Sequence, residues 1–142
     1  MKRLLFPYFG AFLAGSTLYP IIEILFRGYT HPSMSLLGGL CAMAILWVDA
    51  LLGRIRLIWK ALVSSVIITQ LELICGLLVN RHWNLHVWDY SHLPGNLAGQ
   101  ICPLFTFFWF LLSFCALHFF RFFRKLAPYI FPRIANNRKL SS

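Results

Sequence analysis

Apolar residues along the chain fall into four long runs, at about 4–26, 35–52, 57–79 and 97–120. Short polar stretches between them hold much of the charge. Crossing the hydrocarbon of a bilayer takes about 20 residues of helix, and each run is near that length. Backbone in lipid must satisfy its own hydrogen bonds, which favours helices over open strands. The pattern predicts an all-α polytopic membrane protein, a bundle of four transmembrane helices made of two helical hairpins. Residues 1–120 form the spanning domain and 121–142 a basic tail. Leu4–Ala14 with Ala14-Gly15-Ser16 also has the outline of a signal peptide. Hydrophobicity resumes through Tyr19–Phe26, however, and three more runs follow, so the segment reads as a retained first span.

Composition agrees: 59% of residues are hydrophobic and 12% charged, too apolar for a water-soluble domain of this size. The net charge of +9 sits at the span ends. Lys2, Arg3, Arg54, Arg56, Lys60 and the six basic residues from Arg121 to Lys139 share one side, against Arg27 and Arg81 on the other. The positive-inside rule then places both termini and the middle loop in the cytoplasm of a cell-membrane protein. It makes anionic inner-leaflet lipid a partner and excludes nucleic acid, for which no soluble module exists. Trp83, Trp88 and Tyr90 in the outer loop are the aromatics expected at headgroup level. Cys41, Cys75, Cys102 and Cys115 lie singly in apolar segments and read as free thiols. Cys75 and Cys102, near one membrane face, are the one pair placed to form a disulfide.

Only four residues are acidic (Glu23, Asp49, Glu72 and Asp89), and two of them, Glu23 and Glu72, fall inside spans. A carboxylate at that depth costs several kcal/mol unless paired, hydrated or protonated, and usually faces a bundle interior or polar cavity. Arg27 follows Glu23 by four residues, on the same helix face and in the favourable order. Glu72 has no basic neighbour within a turn, so either its partner comes from another helix or it is protonated. Asn96 and Gln100, read as the start of helix four, are polar groups at similar depth. Glu23, Arg27, Glu72, Asn96 and Gln100 therefore form a candidate ligand or ion site; interhelical glue is the alternative. Asp49 lies at the far end of helix two, beside Arg54 and Arg56. Gly10 and Ala14, like Gly38 and Ala42, repeat a small-xxx-small spacing that suits close helix contact. They suggest a homo-oligomer or another membrane subunit.

His82 and His86 have the i, i+4 spacing of two helix-borne metal ligands, but the residues around them make no metal motif. Interfacial histidines are expected there, with His31 in a tight turn before Pro32 and His118 hydrogen-bonded between helices. No serine, cysteine or threonine stands with a base and an orienting group, and no glycine-rich phosphate loop is present. The chain reads as a non-enzyme without cofactor or metal.

The outer loop carries Trp88-Asp89-Tyr90-Ser91, followed by Pro94, Asn96, Gly99, Ile101, Cys102 and Trp109. Helix three has Leu71-Glu72 with Gly76, and helix one ends Glu23, Arg27, Gly28. Together these residues resemble the ABC-transporter type IV, CmpB-like family of integral membrane proteins, over most of residues 19–112. Tyr29-Thr30-His31-Pro32-Ser33-Met34 departs from the Gly-Pro and Pro-Ile-Tyr-Gly continuation of family members, as in a divergent subgroup. The resemblance implies a small transporter (permease-type) subunit, with a separate ATPase as a candidate partner; the position of Glu23 and Glu72 in the outer halves of their helices adds an acidic polar site open to the outer side. The rival is a non-transporting scaffold or sensor in which the acids are structural.

Overall fold

The computed structural model describes residues 2–130. It contains four long helices: α1 (Lys2–Arg27), α2 (Pro32–Leu51), α3 (Leu57–Gly76) and α4 (Pro103–Ile130), with a π-helical turn (Leu77–His82) extending α3. All four are long and apolar enough to cross a membrane. No strand occurs among the described residues beyond an isolated bridge between Leu97 and Ile101. The expected all-α bundle of two hairpins is what forms: α1 packs on α2, α3 packs on α4, and α2 touches each of the other three.

Local chemistry sets the boundaries. Gly28 takes φ +82, a left-handed value that ends α1 at low cost. The His31 ring accepts from the Ser33 N–H, capping α2, and Pro32 occupies its first turn, where a missing N–H costs nothing. The fourth helix starts at Pro103, later than the expected 97. Gly95 and Gly99 have positive φ, and the Asn96 side chain accepts from the Gly99 N–H, so 97–102 is committed to a loop. At its other end α4 continues beyond Phe120 to Ile130, carrying the first basic residues of the tail on a helix. The rest of the tail, 131–142, lies outside the described residues.

The core is built on one face of α2. Met34, Leu37, Cys41, Ile45 and Val48 are buried at helical spacing against Ala61 and Ile68 of α3 and Trp109 and Leu117 of α4. Lipid is as apolar as these side chains, so helix association depends on close packing and internal polar contacts rather than on expelling water. Between α1 and α2 close packing comes from small residues. A Cβ on Gly38 would lie 2.5 Å from the Tyr19 Cβ and 2.6 Å from the Gly15 carbonyl oxygen, and one on Gly15 would lie 2.6 Å from the Ala42 Cβ. The Gly38–Ala42 surface is therefore used inside the chain, whereas Gly10 faces open space.

At the end of the bundle where α1 begins and α2 ends, Asp49 joins three elements. Lys60 Nζ lies 2.6 Å from Asp49 Oδ1 and also donates to the Asp49 and Gly53 carbonyls. Arg124 and Arg121 approach the same carboxylate at 3.7 and 3.9 Å. The lysine is 1% exposed, so it links α3 to α2 while α4 supplies further positive charge. The partners of Asp49 are these three residues rather than its sequence neighbours Arg54 and Arg56. All four cysteines are free thiols, Cys75 and Cys102 included.

Replacing Gly38 by leucine should separate α1 from α2 and cost about 1–3 kcal/mol, the usual range for overpacking a close contact. The same change at Gly10 should have little effect. Unfolding by denaturant in mixed micelles measures both, and equal losses would show that α1 does not dock through Gly15 and Gly38.

Candidate functional site

Twenty residues, 83–102, separate the π-helical turn from α4, and side chains hold this loop in one conformation. Asn80 is buried at its base. Its amide nitrogen donates to the Trp88 carbonyl (3.0 Å) and to Gln100 Oε1 (2.8 Å), while its oxygen accepts from the Val87 N–H (2.7 Å). Trp88 Nε1 donates to the Gln100 carbonyl. Asn96 donates to the Leu93 and Ser91 carbonyls. The loop rests on Gly76, where a Cβ would stand 2.4 Å from Gln100 Oε1; glycine is required for that approach. Gln100 and Asn96 thus build the loop and make no hydrogen bond to either glutamate.

Glu72 is 1% exposed, on the α3 face turned toward α4. Trp109 Nε1 donates to its Oε2 at 3.0 Å and the Tyr90 hydroxyl to its Oε1 at 3.1 Å. The expected partner from another element is therefore an indole and a phenol, not a cation. Two donors on two oxygens satisfy a group that would be costly to bury bare. Burial and the neighbouring Glu72 carboxylate push the Tyr90 phenol well above its ordinary pKa, so it stays a hydrogen-bond donor. Trp109 in turn stacks on Tyr19 of α1, with centroids 5.3 Å apart.

Glu23 and Arg27 form the expected same-face pair, Arg27 Nη2 to Glu23 Oε1 at 2.5 Å. Thr30 donates to the other Glu23 oxygen, also at 2.5 Å. Arg27 Nη1 donates to the Val87 carbonyl, and its guanidinium lies 4.5 Å from the Tyr29 ring centroid. That contact ties the end of α1 to the loop.

Between α1, α4 and the loop lies a cavity of about 470 Å³. Tyr19, Glu23 and Arg27 line it from α1, Trp88, Asp89 and Tyr90 from the loop, and Phe105, Phe108 and Trp109 from α4. Glu72 stands one side chain behind this wall, screened by Tyr90 and Trp109. The structure brings Glu23, Arg27 and the Trp88-Asp89-Tyr90 part of the loop motif around one space. Ser91 lies behind, donating to Asp89 through its N–H and hydroxyl, which lowers the Asp89 pKa. His82 and His86 lose their helical relation, because the π turn ends at His82 and His86 adopts φ +49.

Reasoning from the sequence missed Asn80, Thr30 and Tyr19. Asn80 offered one signal, a lone amide at the polar end of an apolar run, able to satisfy donors and acceptors of a loop at once.

The family model described as Putative ABC-transporter type IV matches residues 12–137 of the 142. The chain belongs to this family. With four helices fit to cross a bilayer, it is a small multi-pass membrane protein of a transport-related kind. No curated protein and no solved structure matches it.

Trp109→Phe keeps a ring against Tyr19 but removes one donor from Glu72. It should cost about 1–3 kcal/mol, the penalty for stranding a buried acceptor. A double-mutant cycle with Glu72→Gln checks the pairing, and a coupling energy near zero would show that the indole does not hold the carboxylate.

Proposed function

We propose that the chain is the membrane-spanning component of a transport assembly, and that its substrate site is the cavity between α1, α4 and the 83–102 loop. One observation carries the reading. A buried glutamate, Glu72, stands behind an open aromatic cavity whose rim holds the Glu23–Arg27 pair. Ionisable groups within a membrane domain mark ligand and ion paths more often than they serve stability. In this reading the loop end of the bundle faces outward, so the acidic site opens to the outer side of the cell membrane. Both termini and the 52–56 turn then lie in the cytoplasm, as the distribution of lysine and arginine favours. The chain has no phosphate-binding loop of its own, so a separate ATPase supplies the energy. The reading assigns the chain no catalysis.

Four helices enclose little volume, and α1 leaves Phe9, Leu13, Leu18 and Leu25 uncovered. A second copy or another membrane subunit packs there. The basic residues at the opposite end meet anionic inner-leaflet lipid.

A scaffold or sensor is the second reading, favoured by the full satisfaction of both glutamates within the chain. Glu72→Gln separates the two. The amide keeps the shape and still accepts one hydrogen bond, so the fold should survive in either case. A transport site should lose activity at least tenfold, read by uptake and efflux profiling of cells expressing native or variant protein. Unchanged profiles with normal folding would favour the scaffold. Reporter fusions after Lys60 and near His86 should report opposite sides of the membrane, and equal accessibility would overturn the orientation.

A further inference from the structure

The cavity's unused chemistry indicates what it would hold, given the reading of this space as a substrate site. Three carboxylates stand in or beside its wall. Glu23 is committed to Arg27 and Thr30, and Glu72 to Tyr90 and Trp109. Asp89 differs. Both of its hydrogen bonds, from the Ser91 N–H and hydroxyl, fall on Oδ1. Oδ2 has no hydrogen-bond partner, and Asp89 joins no ion pair among the described residues. The Ser91 contacts hold its pKa low, so it carries charge at neutral pH.

Arg27, the guanidinium in the lining, is engaged by Glu23, the Val87 carbonyl and the Tyr29 ring; its unpaired Nε is fully enclosed. His92, exposed on the rim, and His86 in the loop are the other titratable groups near Asp89. The wall is aromatic, and ring faces attract cations most strongly where water is excluded. On its flank the cavity is bordered by Ile22, Phe26 and Phe108, all exposed on the apolar surface of α1 and α4. The seam between these helices therefore opens toward hydrocarbon. At about 470 Å³ the space suits a small organic molecule.

We propose that the cavity binds a lipophilic organic cation, admitted from the bilayer through the seam between α1 and α4, with Asp89 as its counter-charge. The occupant needs an apolar body to cross the seam and one positive charge to answer the exposed Asp89 carboxylate, which forms no ion pair among the described residues.

Tetraphenylphosphonium and tetraphenylborate, alike in size and opposite in charge, test this on the full-length protein in maltoside micelles. Equilibrium dialysis gives occupancy, and quenching of Trp88 and Trp109 reports the location. Phosphonium should bind saturably and at least tenfold more tightly than borate. Asp89→Asn should weaken it at least tenfold, Phe108→Ala should weaken it measurably, and Arg54→Gln at the opposite end should leave it unchanged. Equal affinity for the two ions, or unaltered affinity in a folded Asp89→Asn variant, overturns the proposal. Should that variant fail to fold, the native protein's preference between the ions decides. Saturable phosphonium binding with no transport in cells upholds this inference and sinks the transport reading. Intact transport without phosphonium binding does the reverse.

Discussion

A carboxylate enclosed among apolar helices has to be met by hydrogen-bond donors, and the way Glu72 is met constrains much of the loop end of the bundle. Its two donors come from different elements, Trp109 on α4 and Tyr90 on the loop. Trp109 must therefore face α3, which fixes the rotation of α4 about its axis. Tyr90 must return to the membrane-embedded part of the bundle, so the loop has to fold inward instead of extending over the surface. Asn80, Gln100 and Trp88 provide that fold, and Gly76 gives it room. An apolar residue at position 72 would release each of these demands.

Helix α1 follows other rules. Its contact with α2 depends on Gly15, Gly38 and Ala42, and its link to α4 is the stacking of Tyr19 on Trp109. Where glycines let two backbones meet on one side, the large aromatic residues of α1 and α4 hold those helices apart on the other. The cavity follows from this mismatch. The ion pair of Glu23 and Arg27 closes its rim by attaching α1 to the loop through the Val87 carbonyl.

Helix number, helix class and hairpin order were legible in the sequence because the length of an apolar run maps directly onto bilayer thickness. The Glu23–Arg27 pair was legible because four-residue spacing places both on one helix face. The partners of Glu72 were not. Tyr90 and Trp109 lie 18 and 37 positions away, and no periodicity links a loop phenol or an indole to a particular carboxylate. Asn96 and Gln100 read from the sequence as the first turn of a helix because leucine, alanine and isoleucine surround them. The positive φ values at Ala98 and Gly99 that redirect them into the loop leave no mark on hydropathy. Asp49 shows the same limit, since its near neighbours Arg54 and Arg56 give way to Lys60, Arg121 and Arg124.

Two buried polar centres result, at opposite ends of α3. Lys60 and Glu72 are 12 positions apart, roughly 18 Å along a helix rising 1.5 Å per residue. They are built differently. At the Lys60 end, charge meets charge: losing one partner would strand a buried ion, which makes the centre strongly position-determining whatever its net stability. At the Glu72 end, neutral donors hold the acid, and neither donor loses charge if it moves. Trp109 and Tyr90 also form the cavity wall, so a molecule entering that space presses on the same two side chains that satisfy Glu72. The shape of the cavity and the hydrogen bonding of the glutamate therefore rest on the same two side chains. The ionic centre at the other end ties α2, α3 and α4 together without touching that wall.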